Sequence, residues 1–261
     1  MKKLYVYCGV VLCLIAACLV FLIIQPKYFP LDTPLDISKE LEETVPENPN
    51  DTLSHVEEPD DSEKTEPQAY ICPEKLAAAR AVNPDIYSWI KIPGTEIDYP
   101  VVQSPDSDAF YLRRDVYGEY LVSGSIMSEH SYNGTDYKDP VTVLYGHCME
   151  SGAMFGNLQS LYSAGNGLEE YKTIEIYTPE EKLEYEVFAA VPYDMRHILY
   201  NYDFSNARVF TSFFRSIFSV RSFNANVNFE KGPEYGDRVL ILSTCLKGDS
   251  TRRYLVMAKL K

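Results

Sequence analysis

The sequence predicts a mainly β domain, a closed barrel or a sandwich, held outside a membrane by its N-terminus. Three observations carry this. Short runs rich in β-branched and aromatic residues recur through the C-terminal part, punctuated by Gly, Pro, Asn and Asp. An uncharged run of 21 residues, Leu4 to Ile24, stands directly behind Lys2 and Lys3. Between the two lies a stretch rich in proline and acid that resembles neither.

The N-terminal run is long enough to cross ~30 Å of hydrocarbon as a helix. The lysines before it favour a cytoplasmic N-terminus, with the rest of the chain outside. A cleaved signal peptide and a lipoprotein signal, through "IAAC" at 15–18, are the rivals. The run is long, no clear A-x-A site follows, and six more apolar residues come after Cys18. An uncleaved anchor over 1–24 is the expectation.

Residues 25–69 read as an extracellular tether. They contain seven prolines and few aromatics. Too little apolar surface is present to offset the entropy of ordering, and like charges keep such a chain extended. The formal net charge of −14 is concentrated here: residues 31–69 hold 13 acidic residues and two lysines. Residues 70–261 hold 25 acidic and 19 basic residues and have no basic stripe, which excludes a nucleic-acid-binding class.

From Tyr70 the composition becomes that of a folded domain, 70–261. Residues 74–82 have helical character, broken at Asn83-Pro84. A second short helix is expected through Ile86–Ile90. Strands are then expected in "KIPGTEIDYPVVQ" (91–103, around a Pro-Gly turn), "SGSIMSEH" (123–130) and "VTVLYGH" (141–147). Others are expected in "KTIEIYT" (172–178), "LEYEVFAAVPY" (183–193), "DRVLILSTC" (237–245) and "RYLVMAKL" (253–260). Residues 203–224 interrupt them. There Val209, Phe213, Phe214, Ile217 and Phe218 recur at helical spacing, so one helix is expected.

Three cysteines lie outside the apolar run, Cys72, Cys148 and Cys245. An odd number leaves at least one thiol unpaired or paired between chains, and so lean a count argues against a disulfide scaffold. Cys245 ends an apolar strand, and Arg252 and Arg253 open the next. A fixed positive charge near sulfur favours thiolate and stabilises an oxyanion. Of the four histidines, His55 falls in the tether, His130 in a turn-like segment, and His197 reads as a surface or loop residue. His147 differs: it ends a strand directly after Gly146, where a bend presents its ring. Thiol, imidazole and guanidinium at three strand ends make a coherent set for acyl transfer. Whether they meet in space is a question for the fold.

Several blocks, in order, resemble the sortase family, class B. They are "NPDIYSWIKIPGTEIDYPVVQS", "FYLRRDVYGEYLVSGSIM", "VTVLYGHCMESGAMFGNLQSLY", "LILSTC" and "RRYLV", spanning roughly residues 74–261. "LILSTC" is similar to the family's TLxTC-type motif. The resemblance implies a closed eight-stranded sortase-type β-barrel with N-terminal helices and a helix before the strand leading to the cysteine. It implies a membrane-held cysteine transpeptidase on a Gram-positive cell surface. Such an enzyme cleaves the sorting motif of surface proteins after threonine and forms a thioacyl intermediate on Cys245. It then passes the acyl group to an amine of peptidoglycan precursor or cross-bridge. His147 would be the acid/base and Arg253 the substrate and oxyanion clamp. Ser243 and Thr244 would help bind the sorting peptide, and the backbone N–H of Leu246 would donate to the oxyanion. No metal or other cofactor is implied. The family usually carries Asn after the histidine, where this chain has Cys148.

Two rivals stand beside this. An L,D-transpeptidase-like enzyme would use Cys148 as nucleophile, although "YGHCME" lacks that family's glycine between His and Cys. A non-catalytic exported binding domain would use His147, Cys148 and Cys245 as zinc ligands, without an obvious fourth. Alternation puts Arg252 and Arg253 on opposite faces of their strand. Arg253 is the family-like position.

Overall fold

The computed structural model describes residues 70–163 and 165–261. The expected anchor and tether lie outside the described residues. Among those described, no helix is long and apolar enough to cross a membrane.

Helix α1 (Glu74–Val82) buries Leu76 and Ala79 and stops at Asn83, whose φ of −137° is extended. Pro84 imposes that, because the residue before proline is pushed out of the helical region. The next segment corrects the sequence reading: Ile86–Lys91 is strand β1, not a second helix. Five of its six residues are buried, on both faces. Tyr87 and Ile90 face the barrel interior, while Ile86 and Trp89 pack under α1 with Leu76 and Val102. Burial on both sides erases the alternation that marks a strand. The Asp98 carboxylate accepts hydrogen bonds from Trp89 Nε1 and Lys75 Nζ and so ties α1, β1 and the next strand together.

The remaining strands are β2 (Asp98–Val102), β3 (Ile126–Met127), β4 (Val141–Tyr145), β5 (Thr173–Tyr177) and β6 (Lys182–Tyr193). After them come β7 (Asn226–Val227), β8 (Val239–Leu246) and β9 (Asp249–Leu260). They pair in the order β5-β1-β2-β3-β4-β8-β9-β6, and β6 pairs back onto β5. That closure leaves eight strands in a barrel and no open edge. The two-residue β7 is added outside the ring, on β6. Short helices α2 (Leu158–Tyr162) and α3 (Gly167–Glu170) join β4 to β5. Helices α4 (Ile198–Asn201) and α5 (Ala207–Phe218) lie between β6 and β7.

Helix α5 is the one expected in 203–224. Asn206 caps it, its side chain accepting from Arg208 N and Val209 N. Its buried face is Phe210, Phe213, Phe214 and Ile217, so Phe210 joins the expected set and Val209 leaves it half-buried. This face covers Val141, Val143, Phe188, Ile241, Leu255 and Met257 on the outside of the barrel. Leu144, Leu240, Leu242 and Val256, their neighbours along the same strands, fill the inside. Each fully buried side chain of this kind contributes about 1.5–3 kcal/mol. The outer layer also has an end, and the cleft opens there.

Candidate active site

Strand register assembles the site. Parallel β4 and β8 pair Val141↔Val239 through Tyr145↔Ser243. The Gly146 N–H then donates to the Ser243 carbonyl at 3.1 Å. Carried two residues on, the same register sets His147 beside Cys245. Antiparallel β9 places Arg253 opposite Cys245 and Leu255 opposite Ser243, and β6 places Tyr193 opposite Arg253. Because side chains alternate, these residues share the outer face with Ile241 and Met257. One row across the sheet thus reads His147, Cys245, Arg253, Tyr193. The row beneath reads Met127, Tyr145, Ser243, Leu255. Both rows line a single cleft of about 270 Å³.

Gly146 is required for a reason other than the expected bend. A Cβ there would lie 2.6 Å from Ile126 Cδ1 and 2.6 Å from Phe155 Cδ2. The chain leading to His147 is pressed against the barrel, and only hydrogen fits. His147 Nε2 is 2.8 Å from the Leu112 carbonyl oxygen. A carbonyl only accepts, so Nε2 carries the proton and Nδ1 is the nitrogen left to exchange one.

A β-bulge separates the two arginines. Cys245 pairs with Arg253, yet Leu246 pairs with Asp249, so Ser250, Thr251 and Arg252 bulge out of β9. The turn is tighter than the six residues "LKGDST" imply. Only Lys247 and Gly248 lie between the paired Leu246 and Asp249, and Gly248 takes φ +84°, the left-handed region. Lys247 N donates to Gln159 Oε1 at 3.0 Å, which pins the turn to α2. Arg253 Nη1 is 3.7 Å from Cys245 Sγ and also donates to the carbonyls of Ser250 and Arg252 at 3.1 and 3.2 Å. The bulge therefore aims the guanidinium at the sulfur and braces it there. Arg252 is exposed and acts electrostatically on Asp194 instead.

The other expected residues divide. Ser243 lines the cleft beside Cys245. Thr244 alternates to the inside of the barrel, opposite Tyr254, and its hydroxyl is buried without a hydrogen-bond partner. Its side chain does not face the cleft. The Leu246 side chain joins the interior core, and the bulge interrupts the β-ladder at its backbone. Cys148 bridges to Met154 and is half-buried. Burial, then the nearby Cys245, raises its pKa above the ordinary thiol value. Cys72, Cys148 and Cys245 are all free thiols. His147, Cys148 and Cys245 do not form a ligand set: among the described residues no three His, Cys, Asp or Glu side chains are placed to hold a metal.

Sequence reasoning missed the other half of the cleft. His197, expected at the surface, lies within it, its Nε2 2.7 Å from Glu129 Oε2. Glu129 was legible in principle, since it follows Ser125 and Met127 at two-residue spacing. His197 was not, because the excursion after β6 brings it there across 68 residues.

A closed β-barrel that sets a thiol, an imidazole and a guanidinium side by side in a cleft has the make-up of a cysteine acyltransferase. The family comparison is specific. A family model of the sortase domain matches residues 90–261. Sortase B of Listeria monocytogenes is 28% identical over 172 residues, 66% of this chain and 67% of the relative. Sortase B of Staphylococcus aureus is 29% identical over 195 residues, 74% of this chain and 77% of the relative. The solved Staphylococcus aureus sortase B–substrate complex superposes with a TM-score of 0.62 at 27% identity, covering 73% of this chain and 86% of that one. The chain belongs to the sortase family and is a cysteine transpeptidase of the sortase B kind. The family implies a cell-surface enzyme whose substrates are proteins bearing sorting signals.

Proposed function

We propose that the chain joins surface proteins to peptidoglycan through a thioacyl intermediate on Cys245. The Cys245 sulfur attacks the carbonyl carbon of the sorting-motif threonine. The peptide C–N bond breaks, and His147 delivers a proton to the leaving amine. An amine of peptidoglycan precursor or cross-bridge then attacks the thioester carbon, His147 takes its proton, and the C–S bond breaks. Arg253 and the Leu246 N–H stabilise the negative oxygen that forms in each half. Ser243 contacts the bound peptide. Residues 1–24 anchor the enzyme in the membrane with the N-terminus inside, residues 25–69 hold the domain off the surface, and 70–261 act.

The observation that carries this reading is the pairing of Cys245 with Arg253, 3.7 Å between Sγ and Nη1, in the cleft His147 shares. The test uses the full chain in detergent micelles and a library of threonine-containing sorting peptides. Wild type is expected to cleave a subset and to show the acyl adduct on Cys245 by mass spectrometry. Cys245→Ala is expected to abolish both, and Cys148→Ala to keep cleavage within about threefold, as for substitutions away from special features. Full cleavage by Cys245→Ala overturns the assignment. Loss confined to Cys148→Ala would favour the rival nucleophile.

A further inference from the structure

The Glu129–His197 pair stands at the end of the cleft away from the thiol and has no part in the acyl-transfer chemistry. His197 caps α4, its Nδ1 accepting a hydrogen bond from Tyr200 N at 3.0 Å. An N–H donor on that side requires a lone pair on Nδ1, so the ring is neutral and its single proton is on Nε2. That proton is donated to Glu129 Oε2 at 2.7 Å. Among the described residues His197 is the one basic side chain within ion-pair distance of Glu129, whose side chain is 16% exposed. The pair therefore presents an uncancelled negative charge to the cleft.

Its surroundings fit the recognition of a donor. The Tyr132 ring lies 4.8 Å from the imidazole and holds it in place. The Tyr145 hydroxyl is buried without a hydrogen-bond partner, although Glu129 is near enough to oppose its ionisation. Two arginines line the same cleft. Arg253 stands at the thiol. Arg196 is held by the Asp194 carboxylate at 2.6–2.9 Å, which neutralises it locally. By register Glu129 is four residues along the sheet from the His147–Cys245 row, about 13 Å at ~3.4 Å per residue, or three to four residues of an extended peptide.

We propose that Glu129, positioned by His197, reads one side chain of the sorting peptide three to four residues from the scissile carbonyl. It selects a carboxamide or ammonium, which donates N–H bonds, and rejects a carboxylate. This rests on Cys245 being the acyl-accepting thiol. A like charge facing Glu129 in a closed cleft is strongly disfavoured, whereas a donor satisfies the free carboxylate lone pairs.

The experiment is a single-position scan of a peptide that the wild-type full chain cleaves, with Asn, Lys and Asp placed at each position in turn. At one position Asn and Lys are expected to exceed Asp by about tenfold or more in kcat/KM. Glu129→Gln is expected to shrink that ratio to under about threefold at that position alone. His197→Asn keeps a helix-capping side chain and removes the Nε2 donor, so it should weaken the same preference and no other. Thioacyl formation with the best peptide reports folding of both variants. The proposal is overturned if wild type shows no carboxylate penalty at any position, or if Glu129→Gln leaves the penalty intact. It is equally overturned if Glu129→Gln lowers every peptide alike. Any of these outcomes with thioacyl formation on Cys245 intact defeats this inference only, whereas absence of that adduct defeats the acyl-transfer assignment itself.

Discussion

Replacing Arg253 by alanine separates the two arginines that the sequence sets side by side. The guanidinium Nη1 is 3.7 Å from Cys245 Sγ. At that distance two unit charges in an effective dielectric of ~20 interact by about 4.5 kcal/mol, which is a ceiling for a half-buried group. Losing one oxyanion donor costs roughly 2.7–4 kcal/mol in enzymes that rely on one. Water entering the vacated space recovers part of this. A loss of about 3 kcal/mol, or on the order of a hundredfold in the acylation rate, is therefore expected. Arg252→Ala removes an exposed side chain on the far side of the bulge and should cost less than about threefold. The assay is single-turnover acylation of the full chain by a peptide that wild type cleaves, read as adduct mass on Cys245. Thermal melting of each variant checks the fold. The reasoning fails if Arg253→Ala acylates within about threefold of wild type, or if Arg252→Ala loses as much as Arg253→Ala.

Two further outcomes follow from the same geometry. Gly146→Ala places a methyl 2.6 Å from Ile126 and Phe155; overpacking of this kind should lower stability by about 1–3 kcal/mol and displace His147, seen as a lower melting temperature together with slower acylation. Cys148 has its pKa raised by burial from the reference 9.0, so in a Cys245→Ala background its alkylation by iodoacetamide, located by mass mapping, should keep rising with pH beyond 9. A plateau reached below pH 9 would contradict a buried, protonated thiol.

Much of the fold is legible because the outer and inner faces of the strands demand particular residues. "VLIL" in β8 and "YLVMA" in β9 read as strands because both faces are covered, by the barrel interior on one side and α5 on the other. The same double burial misled at Ile86–Ile90, where an apolar run of that length fits a helix as well as a strand. Only pairing of β1 with β2 and β5 decides for the strand. Thr244 shows a different limit. Its place beside Cys245 in sequence implies proximity to the peptide, while strand alternation turns it to the other face.

The sequence by itself determined the parts: the three chemical groups, the short strands that carry them, and the motifs that tie the chain to its family. These are local properties, set by residue type and spacing. Which arginine faces the sulfur was decided by a three-residue bulge in β9. That Gly146 must be glycine was decided by Ile126 and Phe155 pressing on the β4 terminus. That His197 meets Glu129 was decided by the path of the chain after β6. Each of these depends on contacts between residues distant in the chain, and closing the barrel is what brings them together.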